Sequence, residues 1–109
     1  MEIINLAATP QQAFGFKAGG NDYELSIRDI SEQGQAPEMA YDLKVNDVSV
    51  ADGFLVLAGE MLIPYKYQEA NGNLIIFTQP DEQADFRKFG DSQELYFLTQ
   101  EEADFYRGN

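Results

Sequence analysis

The chain has nineteen carboxylates but no histidine and no cysteine. Thiolate nucleophiles, imidazole-based triads, Cys/His zinc sites and histidine pH switches are therefore excluded. What remains is carboxylate chemistry. Asp81, Glu82 and Asp85 lie close together, and Asp47 lies near Asp52. Such groups can ligate a hard cation through oxygen or share acid–base work. Neither group has the alternating oxygens, glycine and closing glutamate of a calcium loop, and solvated charge is the ordinary use of such residues. Gly19-Gly20 has the glycines of a phosphate loop but no following lysine or helix start. No two residues stand out as an acid and a base. No enzymatic activity, cofactor or metal is expected.

Aromatic residues offer a second kind of chemistry, recognition. The chain has eight phenylalanines, six tyrosines and no tryptophan. Most of these must be core. Phe86 and Phe89, however, flank Arg87 and Lys88 in a charged stretch. They either fold back to close the core or anchor a partner, because buried aromatics and arginine dominate interface energy. Phe105 and Tyr106, beside Arg107, pose the same choice at the carboxyl end. The candidate partner contacts are thus Phe86, Arg87, Lys88, Phe89, Phe105 and Tyr106.

Seven bases against nineteen acids give a net charge of −12. That charge repels phosphate and argues against nucleic-acid or anionic-membrane partners. It serves solubility, or else forms an acidic face that docks a basic partner or mimics DNA. The 109 residues make one domain, 1–109, with 44% hydrophobic residues to build its core. A chain of this size buries roughly 65% of the surface its unfolded form exposes. No apolar run is long enough for a membrane span, and MEIINLAATP lacks the basic start of a secretion signal.

The elements that must hold these residues read as strands. Ile3, Ile4 and Leu6 mark a first strand, ended at Thr9-Pro10. Residues 13–17 and 23–30 both alternate around Gly19-Gly20-Asn21-Asp22, a hairpin that buries Tyr23, Leu25 and Ile27. Residues 31–38 form a loop. Residues 40–64 form a central meander. Tyr41, Leu43 and Val45 share one face, and Asn46-Asp47 and Ala51-Asp52-Gly53 are turns. Phe54-Leu55-Val56-Leu57 is a strand covered on both faces. A strand at Met61-Leu62-Ile63 follows, with pairing that can continue through Tyr65 and Tyr67. Ala70-Asn71-Gly72-Asn73 is a further hairpin turn before the buried run 74–77. Residues 80–93 form a long, exposed acidic and aromatic loop, and 94–98 is the last strand. Thr99 and Glu102 fit a capping box, so residues 99–107 hold a short helix stopped at Gly108. The fold class is all-β: a small antiparallel barrel or sandwich built from hairpins, with a short C-terminal helical turn.

The order and spacing of these features resemble the baseplate plug proteins of contractile-tailed phages, the cyanophage-type plug. The opening IINLAATPQQAFGFKAGGNDYELSI is similar to the start of that family, with its short Ile/Leu strand, Pro-Gln turn, phenylalanine strand and glycine-rich tip. Ala40-Tyr41-Asp42-Leu43, Ala51-Asp52-Gly53, Ala58-Gly59 with Leu62 and Tyr67, Gly72-Asn73-Leu74, Phe89-Gly90 and residues 94–98 follow its later pattern. A tryptophan common in the family is replaced where Met39-Ala40 stand. The resemblance implies a non-enzymatic virion component of the tail baseplate, made in the host cytoplasm. It would dock in the central hub and tube region against hub, tube or tape-measure protein, as a trimer or as a single copy. The alternative from charge alone is an acidic protein-binding or inhibitor module of the DNA-mimic type.

Overall fold

A computed structural model describes residues 1–57 and 59–108. Ala58, part of the family-like Ala58-Gly59 pair, lies outside the described residues. Two antiparallel sheets face each other as a sandwich that does not close into a barrel. One has the order β2(Gln11–Ala18)-β3(Asn21–Asp29)-β4(Met39–Val45)-β5(Val48–Leu55). The other has the order β1(Glu2–Ile4)-β7(Glu94–Thr99)-β6(Gly72–Phe77). Helix α1(Gln100–Tyr106) covers the outer face of the second sheet.

Period-two alternation determines the first sheet. Tyr23, Leu25 and Ile27 on β3 and Tyr41, Leu43 and Val45 on β4 are all buried and pair across the ladder. Leu74, Ile76, Leu95 and Phe97 meet them from the second sheet. The other faces of β6 and β7 present Ile75 and Leu98 to Ala103 of α1. The helix begins with the expected capping box: the Glu102 amide donates to Thr99 Oγ1, and the Thr99 amide donates to Glu102 Oε1. This cap is worth about 1 kcal/mol.

The sheets are fastened at the β2–β3 tip. The Phe97 ring lies between Gly19 and Gly72, so close that a Cβ on either glycine would fall 2.6 Å from Phe97 Cζ. Asn21 Nδ2 donates to the Ala70 carbonyl across the same junction.

Several expectations are corrected. Ala51-Asp52-Gly53 is no turn but lies within β5, where the pairing with β4 shifts register twice. These shifts are β-bulges, each an extra residue on β5 opposite β4. Gly53 takes a φ of +70° and donates its amide to Asp42 Oδ1 at 2.6 Å. The residues after it are not a doubly covered strand. Only Val56 is buried, while Phe54, Leu55 and Leu57 are 43%, 44% and 50% exposed. Met61 forms one bridge to Ile75 rather than a strand. Tyr65 and Tyr67 belong to a 3₁₀ turn over Lys66–Gln68 and its N-cap, not to a ladder. The Ala70–Asn73 tetrapeptide therefore does not join two ladder strands, and Gly72 already opens β6. The 80–93 stretch is not a plain exposed loop, because Ala84, Asp85, Phe89 and Gln93 are buried.

Candidate functional site

A groove of about 550 Å³ opens where the sandwich fails to close. Phe54, Leu55 and Leu57 line it from the end of β5, and Met61, Leu62, Ile63 and Pro64 line it from the chain that borders β6. Tyr106 and Arg107 reach it from the end of α1. The two extra residues cancel in the alternation, so beyond the bulges Phe54 and Leu55 pair with Tyr41 and Ala40. Their exposure goes with their place on the end strand of the sheet.

The wall at 61–64 is held by a side chain acting as backbone. Asn73 is fully buried on β6. Its Oδ1 accepts from the Ile63 amide at 2.9 Å and the Leu74 amide at 2.7 Å, and its Nδ2 donates to the Ile63 carbonyl at 3.0 Å. The Leu62 amide donates to the Leu74 carbonyl at 2.8 Å. Tyr41 crosses the sandwich at the groove floor and donates to the Leu62 carbonyl at 2.6 Å. Burial, with Glu60 nearby, pushes its phenol up to about 12.

The groove's end is pinned by an ion pair. The Glu69 carboxylate, 1% exposed, meets the Arg107 guanidinium at 2.7 Å. Gln100 Nε2 and Asn73 Nδ2 also donate to it, at 2.9 and 2.5 Å. This cluster ties α1 to the start of β6. Beside it Tyr65 and Tyr67 stack at 5.6 Å, and Phe105 stands 81% exposed.

The acidic loop is organised by Gln93. Its Nε2 donates to Glu82 Oε1 and the Gln83 carbonyl, and its Oε1 accepts from the Asp85 amide. Asp85 caps the 3₁₀ turn Phe86–Lys88, accepting from the Arg87 amide, Nε and Nη2. The hydrogen bonds from Arg87 hold the Asp85 carboxyl below its ordinary pKa. Those from Lys88 and Gln93 do the same for Glu82. These carboxylates serve the loop's own structure. Among the described residues no three His, Cys, Asp or Glu side chains come together to hold a metal ion.

The structure splits the six sequence candidates. Phe89 is 3% exposed and belongs to the core, with Phe86 packed against it. Arg87 and Lys88 lie at the surface, paired to Asp85 and Glu82. Phe105 is free. Tyr106 packs on Phe77 at 5.4 Å and lines the groove. The structure does not gather the six into one patch. Sequence reasoning missed Phe54, Leu55 and Leu57, whose only signal was an apolar run following an Asp-Gly pair.

Charge is distributed unevenly. Among the described residues six of the seven bases pair internally: Lys17, Arg28, Lys66, Arg87, Lys88 and Arg107. Glu38, Asp52 and Glu60, which border the Phe54–Leu57 stretch in space or sequence, have no base within 4 Å among the described residues. Among the described residues no helix is long and apolar enough to cross a membrane.

Fold and surface first define a class: a small acidic two-sheet sandwich with an uncovered apolar groove along one side. A family model described as "Cyanophage baseplate Pam3 plug gp18" matches residues 1–101. The chain belongs to this family, and its role is that of a structural protein of the phage tail baseplate. A search of curated proteins found no match.

Proposed function

We propose that this chain is a plug that docks in the central hub and tube region of the baseplate by protein–protein contacts, without catalytic activity. The observation that carries this reading is the family match over residues 1–101. The surface supports it. An acidic body with exposed aromatics suits docking against a protein lumen of basic or mixed charge. Hub, tail tube or tape-measure protein are the partners that such a position offers. Arg87, Lys88, Phe105 and Tyr106 remain the accessible contacts among those named from sequence.

The test is the composition of purified tails. The chain is expected in intact tails by mass spectrometry, at a fixed ratio to a hub protein. Tails assembled from a phage lacking its gene should be defective or incomplete. Intact, infectious tails that contain none of this chain would refute the proposal.

A further inference from the structure

We propose that the Phe54–Leu57 stretch, at and just past the end of β5, is a docking rail for an extended segment of a neighbouring baseplate protein, one whose apolar side chains are flanked by lysine or arginine. The inference rests on the plug reading and names the surface and partner chemistry it requires.

Three observations converge. First, β5 is the end strand of its sheet, so one edge of its backbone has no strand partner among the described residues. Unpaired edges recruit strands, and proteins usually blunt them. Here the blunting is partial: the two bulges disrupt residues 49–53 and the Glu60 amide takes the Leu57 carbonyl, which leaves the short stretch 54–56 between them. Second, residues 54–57 present Phe54, Leu55 and Leu57 to solvent beside an open groove. Alternate side chains of an added strand would find the groove on one face. Third, the unpaired charge around the rail has one sign, because Lys66 and Arg107, which also line the groove, are taken by Asp104 and Glu69. Glu60 lines the groove, Glu38 borders Leu55 and Leu57 on the other side, and Asp52 precedes them. None has a base within 4 Å among the described residues.

The same charges argue against a second copy as the occupant. Two-fold pairing of β5 with itself would bring the same three carboxylates of each copy together, on two bodies each carrying −12. Like charges juxtaposed across an interface disfavour that partner. A segment bearing lysine or arginine gains from every one of them.

The experiment places a photo-crosslinking benzoylphenylalanine at Leu57 and, as a control, at Ala13, which is exposed on the far edge strand β2. Each variant chain is incorporated into assembled tails. Leu57→Lys and Leu57→Met chains are incorporated in parallel. The expected result is a cross-link from position 57, and not from 13, to a lysine- or arginine-bearing peptide of another baseplate protein. Leu57→Lys should lower incorporation at least tenfold, with Leu57→Met near wild type. A cross-link from 57 to a second copy, or to a peptide without basic residues, overturns the proposed occupant. Wild-type incorporation of Leu57→Lys, or tails that hold the chain with no cross-link from 57, overturns the surface and leaves the plug reading standing. Absence of the unmodified chain from tails overturns both.

Discussion

Replacing Asn73 by alanine tests whether one side chain holds the groove wall. The substitution removes a carbonyl that accepts from the Ile63 and Leu74 amides and an amide that donates to the Ile63 carbonyl. Ile63 and Leu74 are buried, 2% and 0% exposed, so three backbone groups lose their partner out of reach of bulk water. Each orphaned buried group costs about 1–3 kcal/mol. The low end for all three gives about 3 kcal/mol, a large part of the 5–15 kcal/mol available to a domain. The melting temperature should fall by roughly 10–20 °C. Asn73→Asp should be worse near neutrality. It loses the donors and sets a carboxylate against Glu69, which the native amide contacts at 2.5 Å. That neighbour raises the pKa of the introduced carboxyl, so its penalty shrinks as pH falls and the acid regains its proton. Thermal melts followed by circular dichroism at two pH values measure both effects. If Asn73→Ala melts within two or three degrees of wild type, the wall is held by something else and the reasoning fails.

Other consequences can be measured in the same way. Gly72→Ala should abolish soluble folded protein, because the new Cβ meets the Leu98 carbonyl oxygen and the Phe97 ring. A normally melting variant would contradict this. Thr99→Ala should cost about 1 kcal/mol through loss of the α1 cap, read as a small shift in the urea midpoint at unchanged slope. Asp85 is held below its ordinary value of 3.8 by Arg87. The unfolded chain therefore takes up that proton first as pH falls. The stabilisation is complete above about pH 4–5 and is lost below it. Asp85→Asn should flatten the acid limb of stability against pH, and an unchanged limb would show that this pair contributes nothing.

What the sequence disclosed followed from how each signal arises. The β3 and β4 alternation was legible because one face of each strand is buried, so polarity and position agree residue by residue. The Thr99–Glu102 box was legible because its chemistry is local. β5 was not. An Asp-Gly pair provides the same positive φ whether it reverses a chain or bulges a strand, and only the β4 partner decides between them. The exposure of Phe54, Leu55 and Leu57 was hidden as well, since an apolar run ordinarily predicts burial. The 80–93 loop failed in the opposite direction. Gln93 and Asp85 are polar, yet buried, because Gln93 bonds the Asp85 amide and the Gln83 carbonyl and the Asp85 carboxylate accepts from Arg87. Tertiary satisfaction of that kind leaves no trace in composition.

The Phe97 ring between Gly19 and Gly72 has a mechanical consequence. With a ring filling the space that two missing side chains leave open, one sheet has no room to slide along the other at that point. Relative motion of packed elements is either sliding or swinging, and only swinging remains. The locked corner acts as a pivot, and the layers respond to load by splaying, with strain concentrated at the least bonded margin.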